Sequence, residues 1–214
     1  MLIFRDPRVH AAMSQRPDGP MGSSKNQGIS GAHAIKRKEF LESHSFNPER
    51  LAMAGLVHGT RVMRVTKTPR FHSVPNTDAL ITTARRLPLA IFTADCLPVF
   101  LRWPGGVGLV HAGRVGLIAG VVSNTIYEIA RSGVRRGRIW AWAGPAIQSC
   151  CYPTNLQETL LQQLIEADIK KHQIHISRKC TYCDPKERFI SFRRARDHSE
   201  ETSGNNMMSV IELL

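Results

Sequence analysis

Three apolar runs crowded between Leu87 and Gly116 constrain this chain more than any other feature. The stretch reads LPLAIFTADCLPVFLRWPGGVGLVHAGRVG. Leu89–Thr93 and Val107–His111 read as buried strands, with a third apolar run, Val99–Trp103, between them. The first run leads into Asp95-Cys96 and the last into His111-Ala112-Gly113. Reactive polar side chains at strand ends, followed by small residues and a helix, line a pocket rather than a core. The stretch therefore predicts both a sheet and the place where chemistry occurs.

With 214 residues the chain can build one large domain with a full core. A hydrophobic fraction of 42% and a mixture of strand and helix patterns fit a soluble α/β fold. The longest apolar stretch is interrupted by Asp95 and is too short to span a bilayer. Asp6 and Pro7 stand where a signal peptide would need its apolar core, so a cytoplasmic location is expected, with no membrane partner. Five cysteines, an odd number, favour reduced thiols or metal ligands over a secreted disulfide framework. The net charge of +12 suits an anionic or phosphate-bearing small molecule. Aromatic residues are only 7%, and no aromatic-studded basic face is visible, which argues against nucleic acid as partner.

Residues 1–30 are rich in Gly, Pro, Ser and charge, and Gly22–Gln27 in particular reads as a flexible lead-in. A helix is expected over about Ile29–His44, with Ala34, Ile35, Lys38, Phe40 and Leu41 on a ragged apolar side. In the apolar run Leu51–Val65, His58 precedes Gly59, and a lone histidine there is ordinarily a core residue unless further ligands lie nearby. Asp78–Thr83 reads as a short strand. After His111 a helix is expected through Ala130, ending at Gly133, and its first amides could hold an anion such as phosphate. Ile139–Ala143 is a strand. Thr154 with Gln157 is a capping-box signature for a helix to about Lys170 that buries Leu156, Leu160, Leu161, Leu164, Ile165 and Ile169. Arg188–Phe192 reads as a strand leading into Arg193-Arg194, a phosphate clamp or a plain basic edge, and Met207–Leu213 as the closing strand. Cys180-Thr181-Tyr182-Cys183 is a C-x-x-C pair, half of a structural zinc site or a redox pair. Cys150 and Cys151 could complete four sulfur ligands, although no spacing rule supports it.

His58, Cys96 and His111 share apolar contexts at expected strand ends. Two imidazoles and a thiolate are good zinc ligands, and three protein ligands leave a fourth position open to water, whose pKa zinc lowers to about 7. Without a metal, Cys96 would be a nucleophile and His111 its base, as in cysteine hydrolases, and His58 would have no necessary role. Multicopper oxidase chemistry needs many more histidines, commonly in H-x-H pairs; nine histidines and no H-x-H argue against a laccase, and against copper.

These residues fall into an ordered set of motifs: V-H-G (57–59), T-D-A-L-I-T (77–82), T-A-D-C-L-P-V (93–99), V-H-A-G (110–113), G-P-A-I-x-x-C-C-Y (144–152) and C-T-Y-C-D-P…F-I-S-F-R-R (180–194). The set resembles the laccase-domain family, the YfiH, YlmD and FAMIN group, also described as multicopper polyphenol oxidases. The resemblance covers about residues 50–214; before that, only Ser14-Gln15-Arg16 with Asp18-Gly19 is similar to the family's early segment. It implies a single α/β (α+β) domain over 31–214, mixed sheets flanked by helices, after a poorly matched segment 1–30. It implies zinc held by His58, Cys96 and His111, which would also be the catalytic residues. The substrates implied are purine nucleosides (adenosine, inosine, guanosine, methylthioadenosine), with phosphate for phosphorolysis and water for adenosine deamination. Arg16, Arg114, Arg193 and Arg194 are the expected anion contacts, and a monomer or homodimer is expected. The chain departs from the family pattern at three places: Arg114-Val115 replaces Trp-Arg, Leu56 replaces Gln, and Gly204-Asn205-Asn206 replaces T-G-R. Two alternatives remain beside the enzyme: a catalytically weakened paralogue that binds a nucleoside or a partner, and a metal-free Cys–His hydrolase.

Overall fold

The computed structural model describes residues 7–22, 31–200 and 205–214, apart from the side chain of Phe71. In chain order its regular elements are β1 (Val9–Met13), α1 (Ala32–Ser43), β2 (Ala52–Gly55), β3 (Val62–Arg64), β4 (Ser73–Pro75), β5 (Ala79–Thr82), β6 (Leu89–Thr93), β7 (Leu97–Trp103) and β8 (Gly106–Ala112). Then follow α2 (Arg114–Ile118), α3 (Val121–Arg131), β9 (Trp140–Ala143), α4 (Leu156–Glu166), β10 (Ile174–Ile176), α5 (Phe192–Asp197) and β11 (Met207–Leu213). One sheet has the order β1-β11-β6-β2-β4 and the other β10-β9-β7-β8-β5-β3. Both are mixed: β2 runs parallel to β4 and β6, while β7 and β8 form an antiparallel hairpin.

The continuous apolar runs follow from the layering. Each sheet is covered on both faces, so consecutive side chains of a strand both need an apolar setting. Leu89 and Ile91 of β6 join Phe100, Val107 and Leu109 in the core between the two sheets. Ala90 and Phe92 of the same strand turn the other way and meet Phe40 and Leu41 of α1. On the far side of the second sheet, Val99 and Val110 pack under Val122 and Ile126 of α3 and Leu160 of α4. The layers are therefore helix, sheet, sheet, helices, and the chain passes from one sheet to the other in the short turn between β6 and β7. That turn carries Cys96.

Several expectations are corrected. Within the segment read as a lead-in, Val9–Met13 is a strand paired antiparallel with β11, and Ala11, Ala12 and Met13 are fully buried; of Gly22–Gln27 all but Gly22 lie outside the described residues, as does the expected helix start at Ile29. The helix after His111 is two helices, broken by Gly120 at φ +89°, a conformation glycine adopts freely. Arg188–Phe192 is not a strand. Ser191 accepts a hydrogen bond from the Arg194 amide and caps α5 instead. The cap of α4 is one residue later than expected: Asn155 accepts from the Glu158 amide, while Leu161 and Ile165 stay exposed, because α4 packs along one side only. Ile35 of α1 is likewise exposed, and Arg37 is buried on the face that carries Phe40. Among the described residues no helix is long and apolar enough to cross a membrane.

Candidate metal centre

The two sheets deliver three reactive side chains to one point. His58 sits in the loop after β2, Cys96 in the turn between β6 and β7, and His111 near the end of β8. The available donor atoms of His58, Cys96 and His111 all lie within 4.8 Å of one another. His58 Nε2 is 3.9 Å from Cys96 Sγ, and the two imidazole rings stand edge to face at 4.7 Å. A tetrahedral zinc ion with bonds of about 2.0–2.1 Å to nitrogen and 2.3 Å to sulfur holds such atoms about 3.6 Å apart. The donor set and its spacing thus fit a metal ion with three protein ligands, two nitrogen and one sulfur.

Asp78, at the start of β5, organises the three. Its Oδ1 accepts from His111 Nδ1 at 2.8 Å and from the His58 amide at 2.9 Å. Its Oδ2 accepts from the amides of Gly59 at 2.8 Å and Val57 at 3.2 Å. One buried carboxylate therefore shapes the loop that presents His58, whose φ is +60°, and fixes His111 so that Nε2 faces the cluster. Asp78 is not evident as a functional residue from the sequence, because a lone aspartate before an apolar run reads as a strand boundary. Its place inside the T-D-A-L-I-T motif, between the motifs that carry His58 and Cys96, was the available signal.

Charges within the cluster reinforce one another. Burial works against the Cys96 thiolate, but the charge of His111 and hydrogen bonds from His111 and His58 outweigh it, bringing the thiol from 9.0 to about 6. Burial likewise opposes charge on His111, and the Cys96 thiolate and the Asp78 carboxylate raise it from 6.5 to about 9. Burial also opposes the Asp78 carboxylate, yet its bonds to His111 and to the loop amides hold it below the usual carboxylate value. Cys96 is thus an anionic ligand or nucleophile near neutral pH.

Glycine is required where the chain passes beneath the cluster. A Cβ on Gly113 would stand 2.8 Å from His58 Cδ2 and 3.1 Å from Cys96 Sγ; one on Gly116 would stand 2.6 Å from the Gly59 carbonyl oxygen. The turn with Cys96 is braced from the other side. Asp95, at φ +86°, accepts from the Thr181 hydroxyl at 2.6 Å and from the Arg193 amide at 2.8 Å, and its carbonyl accepts from the Ile147 amide.

The four arginines differ. Arg114 is exposed beside Gly113 and makes no hydrogen bond or ion pair among the described residues. Arg193 leans over the Tyr152 ring at 5.6 Å, with Nε 3.8 Å from Asp197. Arg194 is committed elsewhere: its guanidinium donates to the carbonyls of Thr181, Tyr182 and Phe189, so it is a brace rather than an anion contact. Arg16 pairs with Glu187 at 2.6 Å. The helix expected to bind an anion at its first amides is the five-residue α2, a little over one turn long, which provides little dipole. The four cysteines outside the cluster, Cys150, Cys151, Cys180 and Cys183, gather at a separate point.

A helix–sheet–sheet–helix domain that gathers two histidines and a cysteine at one point defines an α/β protein with a candidate metal centre. The chain belongs to the family described as multi-copper polyphenol oxidoreductase laccase, whose model matches residues 30–156 and 153–213. It is 40% identical over 124 residues to the purine nucleoside phosphorylase SCO2081 of Streptomyces coelicolor, a match over 57% of this chain and 51% of that protein. It is 37% identical over 145 residues to the purine nucleoside phosphorylase ORF3 of Streptomyces griseus, covering 65% of this chain and 58% of that one. The chain thus spans about half the length of these two relatives. With the purine nucleoside phosphorylase YlmD of Geobacillus stearothermophilus it shares 28% identity over 87% of this chain and 83% of that one. In structure it is similar to the hypothetical protein YfiH of Bacillus licheniformis, with a TM-score of 0.83, 26% identity and coverage of 100% of this chain and 99% of that one.

Proposed function

We propose that this chain is a zinc-dependent purine nucleoside phosphorylase that also deaminates adenosine. The observation that carries the reading is the convergence of His58, Cys96 and His111 around Asp78 in a chain whose relatives bear the phosphorylase name. Zinc held by these three side chains would supply a Lewis acid with one open position. The choice of zinc rests on the mixed nitrogen and thiolate donors and the tetrahedral spacing.

The chain's own residues do the rest. Asp78 holds the proton on His111 Nδ1 and keeps Nε2 aimed inward. Arg114 and Arg193, on the segments beside Gly113 and Asp95, attract phosphate. Val57 and Val115, on the segments that carry the cluster, and Phe192, beside the Arg193 amide that binds Asp95, remain exposed and offer apolar surface to a purine. In phosphorolysis a phosphate oxygen bonds to C1′ of the ribose as the C1′–N9 bond breaks, and the base leaves with the bonding pair, giving ribose 1-phosphate. In deamination water adds at C6 and ammonia leaves, giving inosine. The substrates in this reading are adenosine, inosine, guanosine and methylthioadenosine.

The test is to incubate the pure protein with adenosine, with and without phosphate, and to follow adenine, ribose 1-phosphate and inosine. Phosphate-dependent adenine release supports the phosphorylase, and phosphate-independent inosine the deaminase. Full zinc occupancy with neither product rejects both. A second reading has its own observation, the lowered Cys96 thiol beside His111: a metal-free Cys–His hydrolase, which a chelator would leave active and a thiol reagent would inactivate.

A further inference from the structure

Four of the five cysteines have no part in the His58–Cys96–His111 centre. They lie on two loops. Cys150 and Cys151 follow β9, and Cys180 and Cys183 follow β10. All four are free thiols, and their sulfur atoms lie within 4.8 Å of one another. Cys150 Sγ is 3.6 Å from both Cys183 Sγ and Cys151 Sγ.

The spacing separates the candidate explanations. A disulfide would bring two sulfurs to about 2.05 Å. A tetrahedral ion with four bonds of about 2.3 Å to sulfur would hold each pair about 3.8 Å apart. The observed separations fall at the second value, and four sulfurs share one point where a disulfide would need two. A pair of adjacent thiols and a C-x-x-C pair, each from its own loop, supply four donors and leave no position open. That is the closed donor set of a structural site, and tetrahedral sulfur coordination selects zinc among the common divalent ions.

The backbone around Cys180 supports the same assignment. The amides of Cys183, Gln148 and Tyr182 donate to its sulfur. Amides from the second and third residues after the first cysteine of the C-x-x-C turn, with one from the other loop, are outer-shell donors that orient a ligating sulfur.

We propose that Cys150, Cys151, Cys180 and Cys183 hold a structural zinc ion, separate from the His58–Cys96–His111 centre and independent of the function assigned to it. The ion ties the loop after β9 to the loop after β10. Those loops already touch through the Thr181 amide and the Ala146 carbonyl at 3.1 Å. Both also reach Asp95, the first through the Ile147 amide and the second through the Thr181 hydroxyl. The structural ion therefore stands behind the turn that presents Cys96.

The test is zinc content of the full chain, purified with a phosphine reductant and no added metal, alongside two variants. The triple variant His58→Ala, Cys96→Ser, His111→Ala keeps the four sulfurs and is expected to retain one zinc per chain against two in the parent. Cys180→Ser with Cys183→Ser is expected to lose one. To make the test independent of whether the second variant folds, cobalt is loaded into the triple variant. Intense visible d–d bands with a near-ultraviolet sulfur-to-cobalt band are expected, a signature of tetrahedral thiolate coordination. A folded triple variant with no zinc and no such bands overturns the proposal. So does a parent protein in which a thiol reagent titrates these four cysteines as readily before chelation as after it, or in which a disulfide joins any two of them under reductant.

Discussion

The two clusters use overlapping donors and are held in opposite ways. The His58–Cys96–His111 centre hangs from strand ends of both sheets and is aligned by one buried carboxylate, Asp78, which binds three loop amides and an imidazole. The four sulfurs stand on two loops, with Cys150 and Cys183 exposed. A site on rigid strands keeps its geometry without its ion, whereas a site on loops draws its geometry partly from the ion. Loss of a ligand should therefore cost activity at the first centre and order at the second. Cys96→Ser offers the sharpest test. Its kcat/KM for phosphorolysis should fall by at least about 100-fold, beyond the loss that removal of an outer-shell partner brings, while the melting temperature changes little. A variant that melts as early as one lacking the loop sulfurs would break the comparison.

Asp78→Asn probes the support rather than the ligand. The amide would present N–H groups where the carboxylate accepts from His111 and from the loop, so at least one donor faces a donor. Metal affinity should drop about 10- to 100-fold, read by competition with a chromophoric chelator, with three ligands still in place. An affinity equal to the parent's would mean that the strands alone hold the centre.

The difference between the clusters also explains what could be read from the sequence. Leu89–Thr93, Val107–His111 and Met207–Leu213 are apolar because both faces of each strand are covered, and that pattern survives without any knowledge of partners. His58, Cys96 and His111 were legible because they end or follow such runs. Asp78 was not, since its role depends on a loop 19 to 21 residues away folding back onto it. The four sulfurs were legible only as two pairs, because nothing local dictates that a loop near 150 meets one near 180. β1 was hidden for a related reason: Val9–Met13 is short, rich in alanine and flanked by polar, proline-containing segments, and it becomes a strand by pairing with β11 across the whole chain. Phe189, Ile190 and Phe192 mimicked a strand, but Ser191 offers its side chain to the Arg194 amide and starts a helix there.

Two arginines side by side separate substrate contact from scaffolding. Arg193→Met keeps the amide that binds Asp95 and removes only the guanidinium over Tyr152. The KM for phosphate should rise about tenfold, equivalent to about 1.4 kcal/mol, with kcat nearly unchanged. Arg194→Met removes a charged donor from the carbonyls of Thr181, Tyr182 and Phe189. Its effect should appear in the melting temperature and in order of the loop with Cys180, and the KM for phosphate should stay put. Equal KM effects from both would place the phosphate contact elsewhere.

The smallest effect belongs to the start of α4, a few residues after Cys151, and it separates support by the ion from support by the helix. Thr154 and Gln157 carry the capping-box spacing, yet Asn155 makes the cap, accepting from the Glu158 amide at 3.2 Å and donating to its carboxylate at 3.0 Å. Gln157 turns away and donates to the Ile147 carbonyl. Asn155→Ala should cost about 1 kcal/mol, which in a domain of this size lowers the melting temperature by about 2–4 °C. Thr154→Ala should leave it unchanged. Neither should alter the zinc content, because the proposed ion and the Ala146–Thr181 contact draw the sulfurs together without any residue of α4. If Asn155→Ala also releases zinc, the loop cluster depends on α4 for its shape, and the contrast between a strand-built and an ion-built site loses its basis.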